Sequence, residues 1–245
     1  MSVGRMASLC CIVIVVLAFT VCTKPQPKNP EEVLKAYATS RGGEWIEEVG
    51  VLNGGSADVL EELGSLPTDS LQQIRGITVT GAEVRKIPDL HRLIALKRLI
   101  LSSNQLQEIS GLAGLHITYL DLGNNHSLKD IGALSSCAEL EYVTLVGTGI
   151  NRLPDLSALH KLRGLGLTDT ALLSLVNIDS IPSDFDLNIM GCQSLQDIGA
   201  LRSARVNTLF LDRSLYEQFK PWFDEHLDQI KATRPEFNLR FAMTE

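Results

Sequence analysis

The sequence predicts an α/β solenoid: a curved sheet of short parallel strands, lined by extended or 3₁₀ return legs and closed by a helical cap at each end. Three observations predict it. Aliphatic residues recur on average every 22 residues over more than half of the 245-residue chain. Inside each period they fall first at spacing two, as on a strand with one buried face, and then at spacing three. Aromatic residues make up 5% of the chain, and seven of the thirteen lie after residue 209, where an open solenoid core has to be covered.

The repeat units begin at Ile74, Leu96, Ile117, Leu140, Leu162, Asp184 and Val206. Their fourth residues are Ile77, Leu99, Leu120, Val143, Leu165, Leu187 and Leu209. Their sixth are Val79, Leu101, Leu122, Leu145, Leu167, Ile189 and Leu211. In a chain that is 44% hydrophobic, fourteen aliphatics at fourteen fixed positions arise by chance about once in 10⁵ trials. The ninth position holds Ala82, Asn104, Asn125, Thr148, Thr170, Cys192 and Ser214, and aliphatics follow at roughly every third place. Written out, Leu96-x-x-Leu99-x-Leu101-x-x-Asn104-x-Leu106-x-x-Ile109-x-x-Leu112 is the leucine-rich repeat consensus.

Residues 74 to 214 therefore resemble the leucine-rich repeat family, and the short units are similar to those of internalins and of phosphatase-regulatory leucine-rich proteins. The resemblance implies a horseshoe with a parallel concave sheet. It also implies an inward-turned ladder of ninth-position side chains that hydrogen-bond backbone groups of the turn. Asn104 and Asn125 are the preferred ladder residues, Thr148, Thr170, Cys192 and Ser214 are accepted variants, and Ala82 cannot hydrogen-bond. Unit six starts with Asp184 in place of an aliphatic, so either Phe185 or Ile181 has to fill the core, with an irregular turn at Ile181-Pro182-Ser183.

Residues 30–73 are expected to form the N-terminal cap. Asn29-Pro30-Glu31-Glu32 is a helix start, with a cap residue, Pro at the first position and acids at the positive dipole end. Leu34, Tyr37 and Ala38 face inward and Gly42-Gly43 ends the helix. An irregular strand is expected over Trp45–Leu52 and a short helix over Ala57–Leu63. The repeats run over 74–213 and the C-terminal cap over 214–245. There Ser214-x-x-Glu217 reads as a capping box, Pro221 splits or kinks the helix, and Phe237, Leu239 and Phe241 alternate as a last strand. The aromatics of this cap, Phe210 included, read as a lid on the core.

Residues 1–22 read as an export signal. Arg5 precedes an uncharged, mostly apolar run from Ala7 to Val21, about 15 residues where a spanning helix needs about 20. Cys22 follows it, and residues 23–29, with Pro25 and Pro27 leading to Pro30, form an extended tether. This order is similar to that of a bacterial lipoprotein with a lipidated Cys22. Phe19-Thr20-Val21 stands where that family prefers Leu, a small residue, then Gly or Ala. Simple cleavage near Cys22 or Thr23 and an uncleaved anchor therefore stay open beside lipidation. The expected location is outside the cytoplasm, lipid-anchored in the cell envelope or secreted. The cysteine-clustered caps of animal and plant extracellular relatives are missing. Cys137 and Cys192 lie more than two rungs apart on different sides of the coil, beyond disulfide reach, and both are expected to be free.

The net charge of −7 disfavours nucleic acid or an anionic membrane as partner, since no excess of Lys and Arg exists to neutralise phosphates. The five histidines, His91, His116, His126, His160 and His226, lack metal-ligand spacing. No phosphate loop or nucleophile elbow occurs. His126 beside Asp121 and Asn124-Asn125 reads as a turn residue next to the ladder. The reading is a non-enzymatic protein without cofactor or metal, touching a membrane only through an N-terminal lipid or anchor.

The remaining candidate surface is the concave sheet, made of third, fifth, seventh and eighth positions. From these the residues for binding another protein are Arg98, Ile100, Tyr119, Asp121, Tyr142, Thr144, Val146, Asn188 and Met190. Tyr119 and Tyr142 fall on adjacent rungs, and aromatics with aliphatics on an open, charge-poor sheet suit interface anchors. A structural spacer in the envelope and an anchored regulatory subunit of an enzyme are the alternative functions.

Overall fold

The computed structural model describes residues 29–48 and 50–241. The signal segment, Cys22 and the tether up to residue 28 lie outside them. The first helix, α1 (Pro30–Thr39), starts where the capping chemistry places it: Asn29 Oδ1 accepts the N–H of Glu31 at 3.2 Å, and Glu31 and Glu32 occupy the first turn. Leu34, Tyr37 and Ala38 are its buried face. The Tyr37 hydroxyl donates to the Val59 carbonyl at 2.8 Å, and burial pushes its pKa up to about 12. The expected irregular strand is two strands, β1 (Glu44–Ile46) and β2 (Val51–Gly54), paired antiparallel with Trp45 opposite Leu52. Gly50 at φ +65° belongs to the turn between them. Two single-turn helices, α2 (Asp58–Glu61) and α3 (Thr68–Leu71), then lead into the repeats.

The repeats supply β3 (Gly76–Val79), β4 (Arg98–Ile100), β5 (Tyr119–Asp121), β6 (Tyr142–Thr144), β7 (Gly164–Gly166), β8 (Phe185–Asn188) and β9 (Val206–Leu211). With β1, β2 and β10 (Asn238–Phe241) they form one ten-stranded sheet in sequence order, parallel except between β1 and β2. The period sets the register. Ile77, Leu99, Leu120, Val143, Leu165, Leu187 and Leu209 stand opposite one another from β3 to β9. All are buried, as identical spacing with one core-facing side requires. Leu52 extends the same row into β2. Return legs contain 3₁₀ turns at Ser110–Leu112, Gly132–Ser136, Ile178–Ser180 and Gly199–Arg202, the tight option that about 22 residues per rung allow.

Unit six resolves its missing aliphatic with both candidates. Ile181 and Phe185 are each 1% exposed. Asp184 turns outward to pair with Arg205 at 2.8 Å. The register slips by one residue between Phe185 and Leu187, which is how the bulky ring enters the core row. Ser183 Oγ lies within hydrogen-bond reach of the Leu159 and Leu162 carbonyls of the preceding unit, at 3.1 and 2.9 Å.

The ladder uses its residues unequally. Asn104 Oδ1 accepts the N–H groups of Ala82 and Val84, while its Nδ2 donates to the carbonyls of Val79 and Leu101. Asn125 accepts from Leu106 N–H and donates to Leu101 and Leu122 carbonyls at 2.9 and 2.8 Å. Both amides bridge two rungs. Ala82 is tolerated because Asn104 serves its turn. Thr148 reaches only its own rung, at the Leu145 carbonyl, and Thr170 bonds the Leu167 carbonyl of its own rung and lies 3.3 Å from the Cys192 thiol of the next. Cys192 restores a bridge, its thiol donating to the Leu167 carbonyl at 3.0 Å. Ser214 is exposed on a helix and is not a ladder residue.

The second end is covered by α4 (Arg213–Gln218), α5 (Lys220–Thr233) and β10, which pairs with β9 through Leu239 opposite Leu209. The helix divides at Phe219, with Pro221 in the first turn of α5. The N-cap of α4 is Asp212, not Ser214, its Oδ1 accepting Leu215 N–H at 2.8 Å. The hydroxyl expected to cap sits two residues past the cap position, inside the first turn of the helix. Tyr216 stacks on Phe223 and meets Phe241 edge-on, at 5.3 and 5.2 Å between ring centres. The Arg234 guanidinium ties α5 to the last return leg through the Leu201 carbonyl at 2.9 Å.

Replacing Asn125 by Ala leaves the buried Leu106 N–H and Leu122 carbonyl without that partner, while Asn104 still serves the Leu101 carbonyl, and is expected to lower unfolding free energy by about 2–3 kcal/mol, against about 1 kcal/mol for Thr148→Ala, in urea titrations. Cys137 and Cys192 are both buried free thiols. Burial raises both thiols, Cys137 from 9.0 to about 11. The folded protein holds these protons to higher pH than the unfolded chain does. Stability is therefore complete below pH 9 and falls as pH rises toward 11, with Tyr37 adding to the loss at the upper end. Urea midpoints across that range check this, and neither thiol is expected to react with a disulfide reagent at about pH 8 until the chain is unfolded.

Candidate protein-binding face

The short strands deliver the odd positions of each unit to one open surface. Arg98 and Tyr142 are exposed there. Ile100, Tyr119, Asp121, Thr144, Val146, Asn188 and Met190 are half-buried. The register places Arg98, Tyr119 and Tyr142 in one row across β4, β5 and β6. The row leans toward the C-terminal end. The Arg98 guanidinium lies 3.9 Å from the centre of the Tyr119 ring. The Tyr142 ring reaches over Gly164, where a Cβ would come within 3.0 Å of it.

Two polar candidates turn out to be tied to their own strands. Asp121 Oδ1 accepts Gly123 N–H at 2.9 Å, and Asn188 Oδ1 accepts Met190 N–H at 3.1 Å. These fifth-position acceptors close the end of the strand, so only part of each side chain is free for a ligand. Ile100, Asp121, Val146 and Met190 stand apart from the most concave part of the face.

That part is a shallow depression of about 380 Å³ over β7. Its floor is Gly164, Leu165 and Gly166. Tyr119 and Tyr142 bound one side; Asp186, Asn188 and Phe210 bound the other. Of the two glycines at the third and fifth positions of this unit, Gly164 is covered by the Tyr142 ring, and Gly166 leaves the space of one side chain open in an otherwise occupied surface. The signal for it in the sequence is Gly164-Leu165-Gly166, two outward positions without side chains, while the candidate residues named from the sequence are all ones that protrude. Phe210 corrects the lid reading for one aromatic. It lies opposite Asn188 and lines the depression, while Tyr216, Phe219, Trp222, Phe223 and Phe237 pack over the core.

The eighth positions serve the backbone. Gly81, Ser103, Asn124, Gly147, Asp169 and Gly191 all have φ between +55° and +69°. This left-handed turn explains why Gly, Asn and Asp recur there. Asp169 folds its carboxylate into the space a Cβ on Gly191 would need. Asp212 joins this row to the cap: its Oδ2 accepts Gly191 N–H at 2.8 Å while its Oδ1 caps α4.

Charge is ordered along the N-terminal ends of the strands. Glu139 pairs with Lys161 at 2.6 Å, which holds the Glu139 carboxyl below the ordinary range, and Glu141 pairs with Arg163 at 3.4 Å. Among the described residues no carboxylate lies within ion-pair distance of Arg98 and no cation within that distance of Asp186. No group of three His, Cys, Asp or Glu side chains among the described residues could hold a metal ion. His126 is exposed in the turns beside Thr148 and Asp169. No helix among the described residues is long and apolar enough to cross a membrane.

No family model matches the sequence, and no curated protein is similar to it. Solved structures are. An internalin of Listeria monocytogenes superposes with a TM-score of 0.50 at 23% identity, over 63% of this chain and 53% of the internalin, so this chain spans about half of that protein. An internalin-like protein of the same organism superposes with a TM-score of 0.36 at 14% identity, over 75% of this chain and 69% of its own. Together with the register, the internalin superposition establishes the leucine-rich repeat solenoid.

Asp212→Ala removes the bond that joins the last left-handed turn to α4 and is expected to destabilise the chain by about 1–2 kcal/mol in thermal or urea unfolding. Asp212→Asn keeps the helix cap but cannot accept at both atoms, and is expected to lose about half as much.

Proposed function

We propose that this is an exported, non-catalytic repeat protein that binds another protein on its concave face. The observation that carries the reading is the aromatic-rimmed depression over Gly164 and Gly166, with Tyr142 45% exposed beside it. The Tyr142 ring covers Gly164 and still presents an exposed edge to the depression. A partner side chain entering the depression would be enclosed by rings on two sides, the arrangement that concentrates binding energy at interfaces. The strands beneath are fixed by their parallel register and by the buried core row, so the surface is preorganised. The internalin-type fold supports this use by analogy of architecture. Export rests on the sequence of residues 1–22, with Cys22 as the lipid-bearing residue of the anchored form.

The test uses the chain in its own host with a photo-crosslinking benzoylphenylalanine in place of Tyr142 or of Arg152, an exposed residue on a return leg. A covalent adduct with another protein is expected from position 142 and not from 152. Adducts from 152 alone, or from neither, overturn the concave-face reading. The intact mass of the same purified chain decides export. A start at Cys22 with acyl mass, or near Thr23 without it, supports export, and a full-length chain overturns it.

A further inference from the structure

The charges around the depression define its occupant more closely, on the premise that the concave face is the binding surface. Arg98 holds its guanidinium over the Tyr119 ring, and the side chain is exposed with no hydrogen-bond acceptor on its donors among the described residues. A guanidinium supported on a ring face and free at its donors suits a carboxylate. At the opposite margin Asp186, the third residue of unit six, is exposed on β8 beside Gly164 in the register. Neither charge has a partner of opposite sign among the described residues. Arg163, the cation nearest the floor, is occupied by Glu141 at 3.4 Å. The face therefore runs from a free cation, across an aromatic-walled apolar depression, to a free anion.

We infer that it takes an extended segment of a partner protein carrying an acidic residue, a large apolar side chain and a basic residue in that order. Adjacent rungs lie about 4.8 Å apart. From the guanidinium over β5 to the floor on β7 is two rungs, about 10 Å, the span of three extended residues. From the floor to Asp186 on β8 is one further rung, which a lysine two residues on reaches with its flexible stem. The pattern is acidic-x-x-aromatic-x-basic. The acid meets Arg98, the ring lies between Tyr142 and Phe210 over Gly166, and the base meets Asp186.

Labelled, end-capped peptides carrying Asp-x-x-Phe-x-Lys, Lys-x-x-Phe-x-Lys and Asp-x-x-Phe-x-Asp test this by fluorescence anisotropy with the folded chain. The mixed peptide is expected to bind about tenfold more tightly than either of the others. Arg98→Glu is expected to erase its advantage over the doubly basic peptide only, and Asp186→Lys its advantage over the doubly acidic peptide only. Gly166→Val, whose Cβ meets nothing closer than 3.8 Å in the fold, fills the floor and is expected to weaken all three about tenfold. The inference is overturned if the mixed peptide shows no preference, if the two charge reversals act alike, if Gly166→Val has no effect, or if nothing binds at about 1 mM. Any of these with the adduct from position 142 still forming removes the charge order but leaves the concave-face reading standing. Loss of that adduct removes both.

Discussion

Each strand of this molecule turns sharply into its return leg, and the turn leaves carbonyls and N–H groups that no neighbouring strand can reach. Burying them unpaired is costly. The structure depends on ninth-position side chains meeting them, from Asn104, which serves the Ala82 turn as well, to Cys192. Asn104 and Asn125 do so across two rungs, donating backward and accepting from the turn before. From Thr148 onward the bond is confined to one rung until Cys192 bridges again through its thiol. The first half of the solenoid is therefore cross-linked by amides and the second half more by packing. The bulge at Phe185, where a bulky ring enters the core row, falls in the half with the weaker ladder.

Satisfying the turns from inside frees the outer face. On a 22-residue unit only three or four side chains look onto the concave surface, and part of these close the local backbone as well. Asp121 and Asn188 do this through their own strand ends, and Asp169 and Asp212 through neighbouring turns. Around Gly164 and Gly166 the side chains that close no local backbone include Arg98, Tyr119, Tyr142, Thr144, Asp186 and Phe210. The recognition surface proposed above is this part of the concave face.

The fold was legible because it is written in periodicity. Seven aliphatics at the fourth position fix the register from Ile77 to Leu209, and one residue of slip would have turned all of them to water. The aliphatic missing at Asp184 was also visible, and its repair uses Ile181 and Phe185 together. Local chemistry that depends on three-dimensional neighbours was harder. Ser214-x-x-Glu217 has the spacing of a capping box, yet Asp212 takes the cap because it also stands within reach of Gly191 N–H, a bond no local pattern reveals. Trp45–Leu52 lies outside the repeat, so nothing in the period marked the hairpin turn at Gly50. The depression was missed for a different reason: it is made of absent side chains, and Phe210, assigned to the cap by its position near other aromatics, belongs by register to the concave row.

From β4 to β8 the parallel register runs without a shift, which turns sequence spacing into distance. Residues one unit apart in the chain sit one strand spacing apart on the face, so the row Arg98, Tyr119, Tyr142, Gly164, Asp186 is a ruler with divisions of about 4.8 Å. An extended ligand laid across the strands advances about 3.4 Å per residue, so its side chains come into step with the ruler only at certain spacings. Substitutions on the ruler change one division at a time and leave the ladder, the core row and the caps untouched. Specificity on such a surface can therefore change without refolding, provided the left-handed turns and the buried ninth residues that hold the divisions stay as they are.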